Sequence, residues 1–260
     1  MALQTITSPA LKTGAAASIT TDAFNAPAQS LLVAAWSGSA SSPAIAGGSL
    51  TWTSRAAHSS GHARIWTAPC PTAKTGMTVA LSVAGFAYGG LKAWVVTGAV
   101  LAAPVGASNT GASSTDPTTI SGYSSTASGS LGFCAAYENN IAGNPGVLPT
   151  SSDVAEGFSM KDVYGTAGSG LAIRKAAPVG AAGQSVTFNA DAPAGIQTPS
   201  WEWAALEILA ADAGPPTVPG NLRVTEVTGT TLTVAWDPST DDIGVTGYGV
   251  YLDGAKVAGP

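Results

Sequence analysis

The sequence predicts an all-β protein, and three observations carry that prediction. Short runs of alternating apolar and polar residues recur from one end of the chain to the other. Between them, 32 Gly and 17 Pro punctuate the 260 residues, which excludes a coiled coil or a helical bundle. No segment shows an apolar stripe of period 3.6 bounded by caps. Charged residues are only 10%, against about 25% in an ordinary soluble domain. Hydrophobic residues are 45% and 49 positions are Ala, with a mean hydropathy of +0.24. Such a chain has enough apolar surface to bury a core, so intrinsic disorder is excluded.

The strands read in order as SLLVAAW (30–36), SLTWTSR (49–55), ARIWTA (63–68), MTVALSV (77–83) and LKAWVVT (91–97). After a loop follow TTI (118–120), SLGFCAAY (130–137), VYG (163–165), GLAIRKA (170–176), QSVTFNA (184–190) and WEWAALEIL (201–209). Each run is bounded by Gly, Pro, Ser or Asn clusters, which favour turns. These runs also repeat. SLL…AW at 30–36 resembles SL…AY at 130–137, and ARIWTAPCP (63–71) resembles LAIRKAAPV (171–179). GMTVALSVAG (76–85) matches GQSVTFNADA (183–192), and LKAWVVTGAV (91–100) matches WEWAALEILA (201–210). Order and spacing are kept, so an internal duplication over about 30–100 and 130–210 is expected. Its two copies would pair as the two sheets of a sandwich.

At Ala210 the texture changes. Residues 211–219 form a Pro-rich, semi-rigid linker, and 220–260 alternate cleanly with little Ala. The stretch PPTVPGNLRV…TLTVAWDPSTDDIGVTGYGVYLDG carries Pro215, Pro216 and Pro219, then Leu222, Trp236 before Asp237-Pro238, Tyr248, Tyr251 and an Asp253-Gly254 turn. It resembles the first half of a fibronectin type III module, an immunoglobulin-like sandwich of seven strands. The resemblance covers only residues 215–260, so a partial sandwich is expected there. Residues 1–210 resemble a sandwich module of minor tail and other virion proteins of actinobacterial phages, which is also found in some secreted bacterial surface proteins. The resemblance lies in the order SLLVAAWSG, GGSLTWTSRA, ARIWTAPCP, VALSVAG and WEWAALEI before a Pro-rich linker. It implies a jelly-roll-like β-sandwich.

Fifteen acidic and ten basic residues give a net charge of −5, and the only adjacent cations are Arg174-Lys175. Nucleic-acid binding, which needs several phosphate-neutralising cations, is therefore not expected. MALQTITSPALKTGAAAS has neither a charged n-region nor an apolar h-region, so a secretory signal is not expected. The charge-free stretch 93–115 is broken by Gly98, Pro104 and Gly106 and is too short in apolar residues to span a bilayer. Cys70 and Cys134, both in or beside strands, are expected as buried thiols rather than a bridge.

Signatures of chemistry are sparse. GxSxG, GxxxxGK[ST], HExxH and an EF-hand loop are all absent. His58 and His62 in HSSGH read as solvated side chains at a hairpin tip, two imidazoles lacking a third metal ligand. Glu138, Asp153, Glu156 and Asp162 fall in one loop-rich stretch and read as a solvated acidic rim rather than a glycosidase pair. No catalytic residue, metal or cofactor is expected. The aromatic strands are more informative. Alternation puts Trp201, Trp203, Ala205 and Glu207 on one face of WEWAALEIL, and Arg64 with Trp66 on one face of ARIWTA. Outward, Trp201, Trp203, Arg64 and Trp66 would form a glycan or protein interface; inward, Trp201 and Trp203 would fill the core.

The resemblances imply a non-enzymatic phage virion component, a minor tail or tail-tip protein assembled in the host cytoplasm. It would contact other virion proteins and copies of itself, with host-surface glycan as a further ligand and no membrane insertion. Two alternatives stand beside it: a carbohydrate-binding module of a secreted bacterial enzyme or adhesin, and a capsid decoration protein.

Overall fold

In chain order the first half of the N-terminal region supplies β1 (Gln4–Ile6), β2 (Lys12–Thr20), β3 (Phe24–Ala26), β4 (Ser30–Gly38), β5 (Ala44–Gly47), β6 (Thr53–Ala57), β7 (Ala63–Cys70), β8 (Lys74–Met77) and β9 (Val79–Thr97). The second half supplies β10 (Val105–Ser113), β11 (Thr119–Ser124), β12 (Leu131–Glu138), β13 (Val154–Lys161), β14 (Ala167–Arg174), β15 (Ser185–Asn189) and β16 (Trp201–Ile208). The computed structural model describes residues 3–6, 8–114, 119–138, 153–161, 167–189, 200–212, 214–241, 244–245 and 247–259. Among these residues there is no helix, so none is long and apolar enough to cross a membrane. The chain divides into two compact units, Ala2–Ala211 and Asp212–Pro260.

Two large antiparallel sheets, with the two-stranded pairs β3–β8 and β11–β15, form the described part of the first unit. One runs β1-β9-β4-β7-β6 and the other β10-β16-β12-β14-β13. Each half therefore lays down its strands in the same spatial order, with its first strand paired to its last. Their facing sides meet in one core. Leu31, Val33, Ile65, Trp94 and Val96 come from the first sheet; Leu131, Phe133, Ala172, Leu206 and Ile208 come from the second. Trp94 meets Phe133 edge to face, with ring centroids 5.2 Å apart, a favoured arrangement for aromatic pairs. This is a β-sandwich.

The outer faces are not left to solvent. Over the first sheet, Ile19, Phe24, Met77, Val79 and Leu81 cover Leu32, Trp36 and Trp66. Over the second, β11 pairs with β15, and their Ile120, Tyr123, Val186 and Phe188 cover Ile173 and Trp201. Strands β4 and β12 are consequently buried along their whole length. That is why they read as unbroken apolar runs rather than alternating ones. Each Leu, Ile or Val so placed contributes about 1.5–3 kcal/mol of hydrophobic stabilisation. The Ala-rich composition belongs to this interior, since Ala34, Ala35, Ala93, Ala135, Ala136, Ala204 and Ala205 are fully buried.

Several strand expectations are corrected. Met77 ends β8, while the run 77–83 from Val79 on and the run 91–97 are parts of one 19-residue strand, β9. Its early part pairs with β2 and β5 and its later part with β4. Gly85, at φ 89°, lies at the register shift within the β2–β9 pairing, between Ser82 and Ala87, in a region that other residues enter at a cost. The run 49–55 becomes a strand only from Thr53, and VYG at 163–165 lies outside the described residues. The pairing of ARIWTAPCP with LAIRKAAPV is out by one residue. Val33 pairs with Thr67 and Phe133 with Arg174, so Ile65 corresponds to Ala172, both in the inter-sheet core. Both cysteines are buried free thiols, in separate outer cores. Burial pushes the Cys134 thiol well up, which keeps it protonated.

In the second unit, β17 (Gly220–Val227) pairs with β18 (Leu232–Asp237), and β19 (Val250–Leu252) with β20 (Ala255–Ala258). Asp253 and Gly254 join the latter pair at φ 49° and 82°, the two positive angles of a type I′ hairpin turn. Trp236 stacks edge to face on Tyr248 at 5.3 Å, and the Tyr248 hydroxyl accepts from Ser239 N at 2.7 Å. None of the described residues of this unit is fully buried; Leu222 is 73% exposed and Tyr251 64%.

Candidate functional site

The four residues expected as an outward platform do not form one. Trp66 lies under the covering strands of the first sheet, and Trp201 under β11 and β15 of the second. They are 4% and 3% exposed. The alternation of WEWAALEIL holds: Ala204, Leu206 and Ile208 face the inter-sheet core, and Trp201 and Ala205 face the other way. Because that second face is also covered, an outward reading fails for Trp201. Trp203 is half-buried with its ring against Gly111. Arg64 lies 5.7 Å from the Trp66 ring centroid, a cation–π contact within one sheet.

The HSSGH turn is also not a free tip. It is docked on Glu202 of the opposite sheet, a contact the sequence could not show across 140 residues. His62 Nδ1 lies 2.9 Å from Glu202 Oε2, His58 Nδ1 lies 3.4 Å from the same oxygen, and Ser60 Oγ donates to it. His58 Nδ1 is also 2.9 Å from Ser60 Oγ. The serine proton is thus directed at the carboxylate, which is not the order of a Ser–His–acid relay. His62 meets the buried Tyr137 ring edge to face at 5.5 Å. Burial, then Tyr88, pushes the Tyr137 hydroxyl far above its ordinary value. Among the described residues no group of three His, Cys, Asp or Glu is arranged to hold a metal ion.

The acidic stretch is structural where it is described, not a solvated rim. Glu138 is buried and accepts from Ser200 N at 2.7 Å. Asp153 accepts from Asn189 N at 3.0 Å and pairs with Lys175 at 2.6 Å. Glu156 accepts from Leu11 N at 2.6 Å through Oε2 and pairs with Lys92 through Oε1. Asp162 lies outside the described residues. A fifth carboxylate, Glu207, is fully buried. Burial alone would raise its pKa, but hydrogen bonds from Ser130, Ala107 and Thr126 outweigh that and hold it below the usual carboxylate range.

Among the recesses of the described residues, one polar cleft opens where the sheet edges β1 and β13 approach each other. It has a volume of about 310 Å³ and is lined by Thr5, Ser8, Lys92, Trp94, Glu156 and Arg174, with Ile6 and Val154 on its walls. Lys92 is only 4% exposed and donates to Pro9 O at 2.7 Å as well as pairing with Glu156. Arg174 is half-buried and donates through Nη1 to Lys175 O at 3.0 Å. Burial lowers its pKa. Two cations therefore face one carboxylate in a polar recess. Composition could not foretell this, because the six residues come from four strands and the segment after β1.

No family model matches the chain, and no solved structure matches it significantly. Among curated proteins the chain is similar to chitinase A1 of Niallia circulans, 55% identical over 47 residues, which are 18% of this chain and 7% of that protein. It is similar to chitinase Chi52 of Paenibacillus xylanexedens, 44% identical over 46 residues, 18% of this chain and 9% of that protein. Exoglucanase B of Cellulomonas fimi is 50% identical over 46 residues, 18% of this chain and 4% of that protein. The chain thus spans less than a tenth of the length of each relative, and each likeness is confined to one short segment.

Proposed function

We propose that the chain is a non-catalytic, polysaccharide-binding accessory region of the kind carried by a bacterial enzyme or adhesin. The observation that carries this reading is the set of short matches to two chitinases and an exoglucanase. Their length is that of the segment 215–260 that resembles a fibronectin type III module, so we assign the matches to that segment, a spacer that follows the sandwich in the sequence. The docked acids and the serine bound to Glu202 support a non-catalytic role, because Glu138, Asp153, Glu156 and Glu202 are each already committed to a structural partner.

Retention of the purified chain on chitin, cellulose and actinobacterial cell wall, with reducing ends assayed in parallel, tests this. Retention on at least one polysaccharide without release of reducing ends is the expected result. No retention on any of the three refutes the reading. Attachment to a phage particle is the second reading, favoured by the resemblance of residues 1–210 to virion modules. Immunogold labelling of particles, at the tail or on the capsid, would establish it.

A further inference from the structure

We propose that the cleft between β1 and β13 binds a negatively charged saccharide, seating its carboxylate or phosphate on Arg174 beside the Lys92–Glu156 pair. The inference rests on the polysaccharide-binding reading above and names the ligand class and the place. Charge supplies the first argument. Lys92 and Arg174 bring two positive charges into the recess and Glu156 supplies one negative charge. Both oxygens of Glu156 are already engaged, by Lys92 and by Leu11 N. The half-buried guanidinium has a backbone carbonyl as its hydrogen-bond partner, and desolvating such a cation without a counter-charge is costly. A bound oxyanion would supply that counter-charge in the forked geometry that guanidinium matches.

The lining fits the same ligand. Thr5 and Ser8 bring hydroxyls, Glu156 a carboxylate, and Ile6, Trp94 and Val154 apolar walls. That mixture suits a hydroxylated ring carrying one acidic group better than a purely apolar ligand or a bare ion. The volume of about 310 Å³ is at the lower end for small-molecule sites, which run from about 300 to 1,000 Å³. It fits a single sugar unit of a longer chain. Lys92 is fixed by Pro9 O and Glu156, so the cationic wall is preorganised.

Titration calorimetry on the whole 260-residue chain tests this with three probes: oligogalacturonate, oligomeric glycerol phosphate, and neutral chito- and cello-oligosaccharides. The expected result is binding of an anionic probe, weakened by salt and weakened about tenfold or more by Arg174→Gln, the loss expected for a charge-assisted hydrogen bond. Arg174→Lys, which keeps the charge and loses the fork, should bind with an affinity between those of wild type and Arg174→Gln, and guards against a mere folding defect. Amide shifts at Thr5, Ser8 and Val154 should locate the ligand. Preference for galacturonate assigns the carboxylate source and preference for glycerol phosphate assigns the phosphate source; either supports the site. Binding of neutral sugars unaffected by Arg174→Gln overturns the anionic cleft and leaves the polysaccharide reading standing. Failure of every probe to bind overturns the cleft, and retention on the three polymers then decides the polysaccharide reading separately.

Discussion

Replacing Glu207 by Gln should destabilise the sandwich by about 3–5 kcal/mol, the range for removing one partner from a buried charged network. The magnitude follows from the donors converging on this carboxylate. Oε2 accepts from Ala107 N at 2.7 Å and Thr126 Oγ1 at 2.7 Å, and Oε1 accepts from Ser130 Oγ at 2.6 Å and Thr126 N at 2.9 Å. An amide has one acceptor oxygen, so in either orientation its NH₂ faces donors that it cannot satisfy. For a unit of about 210 residues, each kcal/mol moves Tm by roughly 2–4 °C, so a fall of roughly 6–20 °C should be seen by calorimetry. The pH dependence supplies a second readout. The folded pKa lies below the unfolded value of about 4.3, so this group's contribution is present above that value and is lost as pH falls through the folded pKa. The wild-type chain should lose more stability than Glu207→Gln between about pH 5 and pH 3. A variant within 1 kcal/mol of wild type, or one with the same slope in acid, would refute the reasoning.

Three other perturbations follow from the same geometry. Glu202→Ala removes the acceptor shared by His62 and Ser60, so amide exchange at Gly61 and His62 should accelerate about tenfold through local opening; unchanged exchange would contradict the docking. Gly61→Ala adds a Cβ that would overlap Ser41 O at φ 83°, and should cost at least about 2 kcal/mol in urea unfolding, a cost that an unshifted midpoint would disprove. In the second unit, where no described residue is fully buried, the amides of Val234 and Val250 should exchange roughly a hundredfold faster than those of Val33 and Ala135. Equal protection would show that this unit holds itself together better than its exposed Leu222 and Tyr251 imply.

The fold was legible where side chains are large and faces distinct, and illegible where they are not. Leu, Val and Trp mark β4, β7, β12 and β16 in the sequence. KTGAAASIT of β2 and VGASNTGAS of β10 carry almost no large residue, so no alternation announces them. A one-residue slip in a strand exchanges its two faces, which is how Ile65 came to be matched with the wrong neighbour of Ala172. The faces of WEWAALEIL separated correctly, yet its sequence cannot say that both are covered, because the cover comes from β11 and β15. The site was less accessible still. Glu202 meets His62, Glu156 meets Lys92, and Glu207 meets Ser130 only through the sandwich, so the carboxylates that matter most looked unremarkable along the chain.

The pairing of each half's first strand with its last has a consequence for biosynthesis. Gln4–Ile6 finds its partner only when Val95–Thr97 has left the ribosome, and Val105–Ser113 must wait for Trp201–Ile208. Even a completed first half would expose Leu31, Val33, Ile65 and Val96, whose cover arrives with Leu131, Phe133 and Leu206. The nascent chain therefore carries a sticky, unfinished sheet through about a hundred further residues of translation, some five to twenty seconds at ordinary elongation rates. Chaperone demand during synthesis is built into this topology, and truncation after the first half should give aggregates rather than a smaller domain.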